Sequence, residues 1–436
     1  MKKKTWFSLD NAAKIFPCIS KKDRPNMFRV SAMLVEDVNK DILQQTVETV
    51  LTRFPSFKVK LKPGIFWWYL DSNLNDFVVK EEDPDIFNFD SVHQKNGYLF
   101  NVTYFKNKIS LTVFHSITDG TGAMEFLKSI VFQYLKYTGK KVKSDGLILN
   151  PDGPTSNNET VDNFLTYYDK HKNKAAKEVP AYHIEGTNFE GGGIGCIIGT
   201  CNVEEVKALA KQHNVTLTTY LAALYTWCCY KEHYNINREE VFKKPIALLV
   251  PANMRKVFDD NTLRNYAGFI RLVSYFKPTT TFNDILVSFD KQMKEKLTKE
   301  NLLKAANSNV KFEKWFIIRI MPLFLKNIVM RLAYKFVGDK LHTSSVSNLG
   351  VIQIPESMKP YIKNFHFDLC ASFSNTKNFG ICSYNNQLNL SFSRSVVETG
   401  IETRFFRELS SKGVNVVINS NYWEVDAWKN VYNAKL

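Results

Sequence analysis

The stretch "LTVFHSITDGTGAMEFLKSIV", Leu111 to Val131, contains a strand, a turn and a helix in one uninterrupted reading. Ile109, Leu111, Val113 and His115 alternate with their neighbours, so they share one face of a strand. Gly120 and Gly122 suit a tight turn. Beyond it Met124, Leu127, Ile130, Val131, Tyr134 and Leu135 recur at helical spacing. His115 therefore closes the strand and points where the buried residues point. Asp119 sits in the turn, at the strand's carboxyl end, where α/β folds place their ligand crevices. A histidine in that position is a hydrogen-bonded core residue, a metal ligand or an acid-base group. The metal reading lacks a third ligand, and the glycines argue against a helix that would align His115 with Asp119. A neutral imidazole near pH 7 can take the proton of an alcohol, amine or thiol as it attacks a carbonyl.

The same logic extends in both directions along the chain. Met27 to Val35 reads as a strand, and Asn39 caps a helix whose apolar face is Leu43, Val47, Val50, Leu51 and Phe54, ended by Pro55. Strands are expected near Phe57–Leu61 and Ile65–Leu70. Tyr98–Phe105 and Ile109–His115 form a hairpin turning at "KNK". Gly139 to Glu159 is rich in Lys, Asn, Asp, Gly and Pro, and "EGGGIG" at Glu190 to Gly195 reads as linker or turn, without the strand-to-helix context of a nucleotide fingerprint. The expected division is a first lobe over 1–178 and a second over 179–436. In the second half, Asn202 caps a helix and a further helix carries Leu217, Leu221, Leu224, Tyr225 and Cys228. Ile246 to Val250 reads as a buried strand stopped by Pro251, leaving Arg255 as a loop cation. Phe379–Tyr384 and Gln387–Ser393 form a hairpin across Asn385 and Asn386. A helix over Ile401 to Lys412, closed by Gly413, and a strand over Val414 to Ile418 follow.

Composition narrows the classes of function. With 436 residues, 44% hydrophobic and 14% aromatic, the chain can bury a large core, and its length suggests roughly two to three domains. The formal charge of +15 favours anionic partners: nucleic acid, a membrane surface, or a phosphate-bearing small molecule. No nucleic-acid motif accompanies the basic runs at Lys2–Lys4 and Lys170–Lys177, which read as solvated surface. The longest apolar stretch, "WFIIRIMPLFLKNIVMRLAYKF" from Trp315, is broken by Arg319, Pro322, Lys326 and Arg331. It is expected to be a buried helix pair interrupted at Pro322, with a membrane-surface patch as the less favoured alternative. The basic N-terminus lacks the apolar centre of a signal peptide, so a cytoplasmic protein is expected. Seven cysteines without C-x-x-C spacing and eight scattered histidines point to no disulfide framework and no metal.

"HSITDG", His115 to Gly120, resembles the HxxxDG motif of the chloramphenicol acetyltransferase-like superfamily, which includes BAHD acyltransferases, alcohol acetyltransferases and peptide-synthetase condensation domains. "RFPSFKVKL" from Arg53, "VPANMR" from Val250, "RNYAG" from Arg264 and "SNLG" at Ser347 to Gly350 agree with it in order and rough spacing. The resemblance covers nearly the whole chain and is closest to bacterial alcohol acetyltransferase-like proteins.

That resemblance implies an α/β fold of two similar lobes, each a mixed β-sheet with flanking helices, meeting at an active-site tunnel. It implies acyl transfer from a thioester, acyl-CoA as co-substrate, to a hydroxyl or amine, with no tightly bound cofactor. His115 matches the general base and Asp119, with Gly120 beside it, the structural aspartate that pairs with an arginine matching Arg255. Ser347 and Asn348 match a segment near the tunnel from which either side chain can donate to a developing oxyanion. Condensation domains carry a second histidine where this chain has Phe114, which favours a stand-alone enzyme. The expected partners are therefore acyl-CoA and a small-molecule acceptor. An acyl carrier protein as donor, and a catalytically silent binding protein of the same fold, are the alternatives.

Overall fold

The structure, a computed structural model, describes residues 6–21, 23–88, 96–166, 178–189, 192–236 and 242–421. The basic runs Lys2–Lys4 and Lys170–Lys177, and the start of "EGGGIG", lie outside them. Among the described residues the strands form sheets of five, seven and three members. The five-stranded sheet runs Ile362–Leu369, Met27–Leu34, Lys108–Phe114, Phe100–Phe105, Lys80–Glu81. The seven-stranded sheet runs Ala267–Ser274, Ile246–Asn253, Ser344–Val351, Lys377–Tyr384, Gln387–Arg394, Gly195–Asn202, Val417–Ser420. Both mix parallel and antiparallel pairs and carry helices, as expected of an α/β fold.

Local chemistry accounts for the elements that the sequence announces. The Asn39 side chain accepts from the backbone of Asp41 and Ile42 and starts the helix Lys40–Arg53, whose Leu43, Val47, Val50 and Leu51 are buried. Asn385 and Asn386 take φ of 45° and 63°, the left-handed conformation that a two-residue hairpin turn requires. Apart from Glu125, the helix Gly120–Tyr137 is buried from Gly122 to Leu135. It packs on Lys40–Arg53 and against the strands Met27–Leu34 and Lys108–Phe114, so it is apolar nearly all round. The helix Leu217–Ile236 plays the same part in the second core, with Tyr220 to Tyr225, Cys228 and Cys229 all buried.

Other expectations need correction. Pro251 does not end its strand, which runs to Asn253. The neighbouring strand pairs only with Leu248 and Leu249, so on that side the missing N–H of Pro251 breaks no ladder bond. Gly195 opens a strand instead of lying in a linker. The strand expected from Ile65 begins at Trp68, and the last strand begins at Val417. The segment after Trp315 does form two helices, Phe316–Ile320 and Leu323–Ala333, interrupted at Pro322. They are not buried, however: Phe316 and Phe324 are 69% and 66% exposed. No helix among the described residues is long and apolar enough to cross a membrane.

One crossing ties the halves together. The strand Ile362–Leu369 lies antiparallel to Met27–Leu34 and completes the sheet that holds the His115 strand. The expected lobe boundary at 178/179 adjoins residues outside the described set.

Candidate active site

The strand Lys108–Phe114 ends one residue before His115, whose backbone N–H donates to the carbonyl of Asn26 at 3.0 Å. Its ring stacks on Phe16, with centroids 4.8 Å apart, and tilts against Phe28 at the same separation. Asn265 fixes the ring's protonation. Its amide nitrogen donates to the His115 carbonyl at 2.9 Å and to Asp10 Oδ2 at 3.2 Å, which leaves its Oδ1, 2.9 Å from His115 Nδ1, as an acceptor. Nδ1 therefore carries the proton, and the lone pair of the neutral ring is on Nε2. Nε2 makes no hydrogen bond to any described residue. Burial lowers the His115 pKa from the ordinary 6.5, against opposing contributions from Asn265, Asp119 and Asp10, so the imidazole is neutral at pH 7.

Behind Asn265, Asp10 is fully buried, accepts from the Ala13 N–H at 2.7 Å, and faces the Arg264 guanidinium at 3.5 Å. Burial raises the Asp10 pKa more than Arg264 and the hydrogen bonds lower it. The result is a chain of contacts from Arg264 through Asp10 and Asn265 to the ring.

Asp119 has a different task. Its side chain caps the helix by accepting from the Gly122 N–H at 3.2 Å, while Oδ2 accepts from Arg255 Nη1 at 2.8 Å and from the Tyr266 N–H at 2.9 Å. Burial acts to raise its pKa, but the Arg255 charge and these hydrogen bonds outweigh it and hold the carboxyl below its ordinary value. Arg255 is no loop cation: it is buried, with Nε donating to the Thr262 carbonyl at 2.6 Å and Nη2 to the Arg264 carbonyl. The ion pair thus ties the turn after His115 to the segment 262–266 that carries Asn265. The turn leaves no room for side chains. A Cβ on Gly122 would meet the Leu263 carbonyl oxygen at 2.3 Å, and one on Gly120 would meet Leu349 at 2.8 Å.

His115, Asp119, Gly120, Arg255, Ser347 and Asn348 all line one cavity of about 480 Å³, together with residues from both halves such as Phe16, Phe28, Phe269 and Tyr334. Asn348 is committed to the scaffold: Nδ2 donates to Thr218 Oγ1 at 2.9 Å and Oδ1 accepts from the Gly350 N–H at 2.7 Å. Ser347 points its hydroxyl at no hydrogen-bond partner among the described residues. Among those residues no cluster of three His, Cys, Asp or Glu side chains could hold a metal. A neutral base, a hydroxyl donor and a cavity of small-molecule size suit proton abstraction beside a developing oxyanion.

Sequence reading brought the six expected residues to this cavity and missed Asn265, Asp10 and Phe16. Asn265 stands within "RNYAG", so its position was signalled but not its contact with His115. Asp10 and Phe16 had no signal, because an N-terminal segment that folds over a distant strand shows no spacing relation to it.

Residues 194–410 match the family model for alcohol acetyltransferase. A search of curated proteins finds no match. Among solved structures, F. graminearum TRI101 complexed with coenzyme A and T-2 mycotoxin is similar over 94% of this chain and 99% of its own, with TM-score 0.59 and 10% identity. The trichothecene 15-O-acetyltransferase of Fusarium sporotrichioides is similar over 94% and 95%, with TM-score 0.57 and 9% identity. The starter condensation domain of rhizomide synthetase, solved with C8-CoA, is similar over 93% and 94%, with TM-score 0.57 and 11% identity. The family match covers residues 194–410, just under half of the chain, and the likeness to these solved structures shows that the chain shares their two-lobed α/β fold.

Proposed function

We propose that this chain is an acyltransferase that moves an acyl group from acyl-CoA to a hydroxyl or amine acceptor, with His115 as general base. The observation that carries the reading is the 2.9 Å contact of Asn265 Oδ1 with His115 Nδ1, which calls for the proton on Nδ1 and so leaves an unprotonated Nε2 at the cavity. Nε2 takes the acceptor's proton as the acceptor oxygen or nitrogen bonds to the thioester carbonyl carbon. The carbonyl electrons move to oxygen, where the Ser347 hydroxyl donates to the oxyanion. The C–S bond then breaks, and the imidazolium returns the proton to the leaving thiolate. No covalent acyl-enzyme is needed. Asp119 and Arg255 do not react; they hold the turn and the segment bearing Asn265. The likeness to structures solved with coenzyme A or an acyl-CoA supports the choice of donor.

Purified protein given acetyl-CoA and a panel of alcohols and amines should release free thiol in an acceptor-dependent manner. Absence of release across the panel, with release from the same acyl group on a carrier protein, would replace the CoA reading by the carrier-dependent one. Absence with both donors would leave a binding protein. The pH profile carries a sign. The base acts when neutral, so kcat/KM should hold at neutral pH and fall as pH drops through the His115 pKa, with the midpoint below 6.5.

Asn265→Ala tests the positioning residue. Loss of its hydrogen bond removes a contribution that raises the His115 pKa, so the acid limb should move to still lower pH while kcat falls by about tenfold or more. A merely structural role would leave the limb where it is.

A further inference from the structure

The helices Phe316–Ile320 and Leu323–Ala333 have an inverted polarity. Their inner face holds Ile318, Leu323, Met330 and a buried lysine, Lys326, which donates to the Phe66 carbonyl at 2.6 Å and sits 3.6 Å from the centre of the Trp67 ring. Their outer face exposes Phe316, Ile317, Ile320, Phe324, Ile328 and Leu332. The loop between Pro63 and Trp68 extends this surface, since the Leu323 N–H donates to the Ile65 carbonyl at 2.8 Å and Ile65 itself is 77% exposed. A helix on a globular surface ordinarily turns polar residues outward. Contiguous apolar surface of this kind marks a docking site.

We propose that this face docks on an anionic phospholipid bilayer. Charge selects that occupant. Between residues 311 and 335 the only acidic residue is Glu313, against Lys311, Lys314, Arg319, Lys326, Arg331 and Lys335. Glu313 is engaged by Lys14 and by the Asn11 amide at 2.6 Å, and Lys326 is buried on the inner face, so the surface presents Lys311, Lys314, Arg319, Arg331 and Lys335 around an apolar centre. Trp315, at the start of the first helix, is more than half exposed, as suits an aromatic residue at the headgroup level. A second copy of the chain fits less well, because a two-fold contact sets each cation against its own kind. The combination of an apolar face with flanking Lys and Arg is what binds helices into an interface rich in anionic lipid.

The position gives the docking a consequence. The inner face of Leu323–Ala333 packs on the short helix Phe16–Ile19, through Met330 against Cys18 and Ile19 and through Arg331 Nε, which donates to the Cys18 carbonyl at 2.7 Å. Phe16 of that short helix stacks on His115, and Tyr334, just past Ala333, lines the cavity. A bilayer on the outer face therefore lies two helices, Leu323–Ala333 and Phe16–Ile19, from the proposed base.

The test is co-sedimentation of the full chain with vesicles of phosphatidylcholine alone and of phosphatidylcholine mixed with phosphatidylglycerol, at low and high salt. The protein should pellet with the mixed vesicles, less so in high salt. Phe316→Asp with Phe324→Asp should weaken partition about tenfold or more, and Arg319→Gln about fivefold. Both variants should keep the parental melting temperature. Protein that stays in the supernatant, binds neutral vesicles equally well, or binds unchanged in the double variant would overturn the proposal. So would a wild-type dimer in light scattering that the double variant dissociates. Because binding is read without catalysis, failure here and failure of the acyl-transfer reading are separate results.

Discussion

His115→Ala should lower acyl transfer by about 10²–10⁴, the usual loss for a general base, while the protein stays folded. The ring gives up its hydrogen bond to Asn265 and its stacking on Phe16, a cost of about 1–2 kcal/mol in stability. That is less than the roughly 3–5 kcal/mol that removing a core aromatic costs, because the ring lines the cavity. His115→Gln separates the base from its geometry. The amide keeps most of the volume and can still donate toward Asn265 Oδ1, but it cannot take a proton, so it should be as inactive as alanine and more stable. Thiol release and thermal unfolding measured on one preparation of each variant decide the matter. Parental rates in either variant would remove His115 from the chemistry, and unfolding of both would make it a structural core residue.

Asp119→Ala should destabilise by roughly 3–5 kcal/mol, since it leaves the Arg255 guanidinium buried without its counter-charge. The N–H groups of Tyr266 and Gly122 lose their acceptor as well. Chemical denaturation of the single variants and of Asp119→Ala with Arg255→Met measures the pair directly. The double variant should be clearly more stable than the sum of the single losses implies, because no unpaired charge is left. A parental denaturation midpoint for Asp119→Ala would contradict the pairing. The sign with pH follows from the lowered carboxyl pKa. The stabilisation is present above the unfolded-state value of 3.8 and is lost as pH falls through the lower folded value. Activity should fall with stability, since the same ion pair anchors the segment that positions Asn265.

The Asp119 turn shows how far local sequence reaches. Alternation through Val113, two glycines and a helical stripe from Met124 depend on contacts within a few residues, and they specify the strand, turn and helix wherever these are placed. Pro251 shows the opposite case. A proline ordinarily stops a strand; here the strand runs on to Asn253, paired with Ala267–Ser274 on one side, while on the other its neighbour pairs only at Leu248 and Leu249, so no ladder bond is lost there. The helices after Trp315 are a third case. Their periodicity is visible in sequence, but whether an apolar face meets a core or solvent depends on what packs against it, and here the inner face is taken by the segments around Phe66 and Cys18.

By itself the sequence determined the α/β class, the helix capped at Asn39, the hairpin at Asn385 and Asn386, and the placing of His115 and Asp119 at a strand's carboxyl end. These follow from backbone preferences and periodicities that act over short distances. Family resemblance implied the pairing of Asp119 with Arg255, and the structure shows it; only the tertiary structure decided that Asn265 and Asp10 stand behind the ring, that Asn348 is a strut, and that Ile362–Leu369 completes the first sheet. Each of these joins residues far apart in the chain. The free energy of such contacts comes from desolvation and charge pairing in the assembled core, and no local pattern records which distant groups will share it.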